Sequence, residues 1–159
     1  MSLITLEFNH KNTIDAREIE ALADEGSNLI SALEDEIEAL KEEKEELEEG
    51  EEDNDEDNSN RLNQIAIEIT GKEKEIEDLQ KDVDHLQNAY DILSSYSETA
   101  IADDHLECYI RSNIEECYTD ELENLPEVIR SNIGWSGVIE DAKTDYSELN
   151  LDGCTYHFS

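Results

Sequence analysis

LNQIAIEITGKEKEIEDLQKDVDHLQNAYDIL, residues 62–93, decides the fold. Leu62, Ile65, Ile69, Lys72, Ile76, Leu79, Val83, Leu86, Tyr90 and Leu93 recur at alternating three- and four-residue steps. Such steps return to one side of an α-helix at every turn, so the run predicts a helix of more than four heptads with a continuous seam. Lys72 alone breaks the apolar character of that seam.

A seam of this length needs a partner, and a second one lies upstream. Ile30, Leu33, Ile37, Leu40, Lys44 and Leu47 follow the same rule, and Ile19, Leu22 and Ala23 carry the pattern back to a helix start near Asp15. Between the two seams, residues 50–60 offer Gly50, Asn54, Asn58, Ser59 and Asn60 among Asp and Glu and no core residue, which predicts an exposed turn. The expected geometry is a long antiparallel coiled-coil helical hairpin over residues 15–97 with an acidic tip at 50–60. A homodimer of parallel helices satisfies the same heptads.

The flanks read differently. Ile4, Leu6 and Phe8 alternate, predicting a strand within residues 1–14. Residues 98–159 carry less charge and more aromatics and predict a compact C-terminal unit. There Leu106, Tyr109, Ile110, Ile114 and Cys117 share one helical face. Pro126 opens a second short helix carrying Val128, Ile129 and Ile133, and a third places Trp135, Val138, Ile139, Ala142 and Tyr146 on one side. Leu149 and Leu151, then Asp152-Gly153, then Cys154, Tyr156 and Phe158 form a β-hairpin signal that the N-terminal strand could extend. The fold class expected is mainly α, of α+β type: the hairpin plus a small C-terminal helical unit with a terminal β-hairpin.

Charge bounds the function. The chain carries 45 acidic and 11 basic side chains, a formal net charge of -34 over 159 residues. Self-repulsion on that scale opposes compaction, repels nucleic acid and anionic membranes, and attracts basic grooves. The expected partner is a cationic protein. No run is apolar enough to span a bilayer and the start lacks a signal-peptide pattern, so a cytoplasmic location is expected. Cys108, Cys117 and Cys154 form no disulfide or metal spacing and are expected as core thiols in a reducing compartment.

Within residues 34–49, ten of sixteen residues are acidic, opposed by Lys41 and Lys44 alone. As a helix this gives about one carboxylate per 2.4 Å of axis, against about one charge per 1.7 Å in duplex DNA. Coiled coils normally interleave Lys and Glu on their outer faces, as the second arm does at Lys72, Glu73, Lys74, Glu75, Glu77, Asp78 and Lys81. The first arm does not, and like charges three and four residues apart cost stability. The candidate partner-binding carboxylates are Glu34, Asp35, Glu38, Glu42, Glu45, Glu46, Glu49, Glu52, Asp53, Asp55 and Asp57.

No catalytic residue, cofactor or metal site is expected. Gly-rich phosphate loops, G-x-S-x-G and H-E-x-x-H are absent, and His10, His85, His105 and His157 stand apart in sequence. The tip begins like an EF-hand loop at Asp53, but Asn58 stands where its glycine belongs and Gln64 where its last glutamate belongs. His105, Cys108 and Cys117 lack a second pair to complete a zinc set.

In the C-terminal third, Cys108-Tyr109-Ile110, Glu115-Glu116, Leu125-Pro126-Glu127, Ile133-Gly134-Trp135, Asp145-Tyr146 and Asp152-Gly153-Cys154-Thr155-Tyr156 occur in this order. The series resembles a tail of small acidic phage and mobile-element proteins and, more loosely, the last portion of the ArdA antirestriction proteins. Gly134 departs from the Asp usual before the Trp, and the acidic coiled coil is extra to the pattern. The resemblance implies a phage-encoded anti-defence inhibitor in the host bacterial cytoplasm, an acidic mimic of DNA that occupies the basic channel of a CRISPR effector or restriction enzyme. The competing expectation is a coiled-coil assembly or dimerisation protein without mimicry.

Overall fold

The computed structural model describes residues 11–49, 56–151 and 153–159. In chain order it runs β1 (Thr13–Asp15), α1 (Ala16–Glu49), α2 (Glu56–Tyr96), β2 (Thr99–Ala102), α3 (Asp103–Cys117), α4 (Thr119–Glu123), α5 (Glu127–Arg130), α6 (Trp135–Lys143), β3 (Ser147–Leu151) and β4 (Cys154–Phe158).

The two heptad seams close on each other within one chain. α1 and α2 pack along their lengths as an antiparallel hairpin, with Ile30, Ile37 and Ile65 buried between them and Leu33, Leu40, Ile69, Ile76 and Leu79 half-buried. Lys72 occupies its seam position without a buried charge: its stem lies along the helix pair while its ammonium reaches Glu36 on α1.

Burial is deepest at the end of the hairpin away from the tip. There Ile19, Leu22 and Ala23 of α1 meet Leu86, Ala89 and Leu93 of α2, and both arms pack on Ile14, Ala100, Leu149, Leu151, Tyr156 and Phe158. Those last six belong to one antiparallel sheet of strand order β1-β2-β4-β3. Register explains the shared face, since Ile14 lies opposite Ala100 and Leu149 opposite Tyr156. The reverse face carries Ile101 and His157, opposite each other across β2 and β4, and α3 runs against these two strands. His157, 8% exposed, is hydrogen-bonded through Nε2 to Asp103 Oδ1 at 2.8 Å, tying β4 to the start of α3.

The terminal β-hairpin forms as its alternation predicts, with Leu151 opposite Cys154 and Gly153 at φ +86° supplying the left-handed residue of the turn. The sheet is larger than expected. β2 joins it between α2 and α3, and β1 pairs along the far edge of β2. Ile4, Leu6 and Phe8 lie outside the described residues.

The C-terminal helices depart from expectation in three respects. Leu106, Ile110 and Ile139 are buried together, with Ile114, Trp135, Ala142 and Tyr146 packed on them, but the short helix after Pro126 contributes no buried residue. Val128 is 70% and Ile129 51% exposed, because α5 is a single turn too short to present a continuous face. Tyr109, Cys117 and Val138, expected inward, are exposed. Cys108 and Cys117 are free, exposed thiols and Cys154 is half-buried, so the expected core thiols are two surface cysteines and one at the sheet margin.

Candidate partner-binding face

At about 100° per residue, Glu34, Asp35, Glu38, Glu42, Glu45, Glu46 and Glu49 fall within an arc of about 120° on α1. All seven are exposed, and the arc faces away from the seam that binds α2. Between Glu34 and Glu49 no other residue type enters it. Among the described residues, none of the seven has an ion-pair partner. Spread over about 22 Å of helix axis, they give about one carboxylate per 3 Å, close to the 3.4 Å spacing of charges along a single DNA strand.

The remaining acidic residues of the stretch are committed elsewhere. Glu43 accepts two hydrogen bonds from Arg61 of α2, Glu36 pairs with Lys72, and Glu48 pairs with Lys44 one turn back. Hydrogen bonding by Arg61 holds the Glu43 carboxyl below the usual carboxylate range, and the hydrogen bond that Lys72 donates to Glu36 raises the Lys72 ammonium above its ordinary value. The ten carboxylates counted in sequence therefore divide into three that fasten the helix surface and seven that form an unneutralised face. An antiparallel pairing brings together residues at roughly similar distances from the turn, which places Arg61 near Glu43 and Lys72 near Glu36 only to within about a helical turn.

The other four candidates are not brought into this face. Glu52, Asp53 and Asp55 lie outside the described residues, and Asp57 falls in the first turn of α2, its side chain outside the description. On α2, charge alternates and is partly self-neutralised, as where Lys81 bonds Glu77 and Asp78.

Among the described residues, no cluster of three or more His, Cys, Asp or Glu side chains is arranged to hold a metal ion. No described helix is long and apolar enough to cross a membrane. The arrangement is a ladder of hydrogen-bond acceptors on one arm of a packed hairpin, a form whose chemistry suits Lys and Arg donors.

Comparison with protein-family models, curated proteins and solved structures finds no match to this chain.

Proposed function

We propose that the protein is an inhibitor by occupation: the outer face of α1 mimics the charge ladder of a DNA strand and fills the basic nucleic-acid channel of a partner protein. The carrying observation is the division of carboxylates on α1. Where cations are available from α2, they pair with Glu36 and Glu43 beside the seam, and the seven-residue outer arc is left bare. A solubility role would not require one unbroken like-charge arc along a single helix, where repulsion at three- and four-residue spacing acts against that helix.

Binding of this kind replaces phosphates on the partner's Lys and Arg by carboxylates, so it weakens steeply with salt and competes with DNA. No bond is made or broken. The choice of a CRISPR effector or restriction enzyme as partner rests on the likeness of residues 100–159 to phage and antirestriction tails.

The test is displacement. Purified restriction and CRISPR effector complexes carrying fluorescent duplex DNA are titrated with the protein at low and at high salt. Release of the DNA at low salt that fades at high salt supports occupation of the channel. Capture of a partner from bacterial lysate that neither salt nor excess duplex DNA displaces would instead favour a coiled-coil assembly protein.

A further inference from the structure

On the C-terminal unit, away from the acidic arc, α3 to α6 enclose a concavity of about 270 Å³. Its apolar lining is Leu122, Ile133 and Trp135, all half-buried. Arg111 and Arg130 line it as well. Arg111 lies over the Trp135 ring, its guanidinium carbon 4.9 Å from the centroid, and its Nε donates to Glu115 Oε1 at 2.9 Å. That leaves its terminal nitrogens without a protein acceptor among the described residues. Arg130 has no side-chain hydrogen bond or ion pair among them at all, in a chain where acidic side chains outnumber basic ones 45 to 11.

The concavity thus joins two kinds of lining, the aliphatic side chains of Leu122 and Ile133 with the part of Trp135 that Arg111 leaves uncovered, and the donors of an unpaired guanidinium. Glu115 is neutralised by Arg111. Glu123 also lines the concavity and opposes an anion, so a bound anion must sit on the Arg130 side. The volume lies just below the usual range for small-molecule pockets, about 300 Å³ upward, and admits one body the size of an amino-acid side chain.

We infer that this concavity binds an apolar monocarboxylate, its aromatic or branched body on Trp135, Leu122 and Ile133 and its carboxylate on Arg130, with Arg111 as the second donor. Two sources share this chemistry: a free small acid, and the C-terminal residue of a polypeptide. The site uses no residue of the acidic face on α1 and stands or falls separately from DNA mimicry.

Trp135 is the one tryptophan of the chain, so its emission, excited at the red edge of its absorption, reports the site directly. The full chain is titrated with hydrocinnamate, with its neutral amide, and with a glycine-rich peptide ending in phenylalanine as free acid or as amide. A saturable change with either acid, and little with the amides, is expected. Response to hydrocinnamate alone identifies a small-acid site, and response to the peptide acid identifies a chain-terminus site. Arg130→Gln should weaken binding about tenfold or more, the loss of a charge-assisted contact. Arg17→Gln, at another exposed arginine without an ion pair among the described residues, should leave it unchanged. Both variants alter exposed side chains, and an unchanged melting curve verifies their fold. Equal binding of acid and amide, unaltered binding by Arg130→Gln, or the absence of any saturable change would overturn the assignment.

Discussion

Arg61 on α2 grips Glu43 on α1 through two parallel hydrogen bonds, Nε to Oε1 and Nη2 to Oε2, each 2.7 Å long. The pair bridges the hairpin near its tip and holds the Glu43 carboxyl below its ordinary value, chiefly through the guanidinium hydrogen bonds. A depressed carboxyl contributes stability above its unfolded pKa, about 4.3 for Glu, and loses it as pH falls through the lower folded value. The melting temperature of Arg61→Gln should therefore lie below that of the native chain from neutral pH to about pH 5. Below about pH 4 the gap should close as Glu43 is protonated. Melts followed by circular dichroism across this range check it, and a gap that persists undiminished in strong acid would contradict a role through this pair.

Leu86 joins the hairpin to the sheet. It is fully buried in the cluster shared by α1, α2 and the strands, so Leu86→Ala removes contacts on several elements at once and should cost about 2–5 kcal/mol. Ile76, half-buried further along the seam, should cost less when cut to Ala. Urea denaturation of the two variants gives the comparison, and equal losses would mean that the sheet adds nothing to the packing at Leu86.

The hairpin was legible because its apolar spacing persists over many turns and depends on no tertiary context. The break at Lys72 has its reason in the other arm, an ion pair to Glu36 of α1 that leaves the seam intact. The sheet was legible only at its terminal hairpin. β2 is four residues, Thr99 to Ala102, wedged between two helices and too short to show alternation. β1, Thr13–Asp15, acquires its identity from pairing with β2. The acidic face was visible as a density of carboxylates, but which of them are bare depends on cations of the other arm. The concavity around Trp135 was not legible, because Arg111, Arg130 and Leu122 come together only through the turns joining α3 to α6.

Tyr146 and Tyr156 should be the last of the six tyrosines to ionise. Burial raises both phenols above the ordinary value, helped at Tyr146 by the neighbouring Tyr109. A raised phenol pKa means that the folded chain keeps a proton which the unfolded chain releases near pH 10. Its stabilisation is whole below that pH and is lost as pH rises through the folded value. Ultraviolet titration should show two late steps, one of them removed by Tyr156→Phe, with stability declining above about pH 10. Six superimposed steps would mean that neither phenol is protected.

Stability and binding should move in opposite directions on the outer face of α1. Glu42 has Glu38, Glu45 and Glu46 at three- and four-residue spacing, and Glu46 has Glu42, Glu43 and Glu49. No cation stands among these neighbours, so each carboxylate meets only repulsion along its helix. Glutamine keeps the helix propensity of glutamate while removing its charge. The double substitution Glu42→Gln and Glu46→Gln should therefore raise the melting temperature, most of all at low salt, where the screening length is longest. It should also weaken displacement of DNA from the partner and flatten the salt dependence, as the loss of two phosphate-like contacts requires. Glu43→Gln should lower the melting temperature instead, because Arg61 then loses its two short charge-assisted bonds across the hairpin and keeps only the longer one to Glu68 at 3.5 Å. A double variant that is more stable yet displaces DNA as well as the native chain would leave the stripe as a solvated face and nothing more.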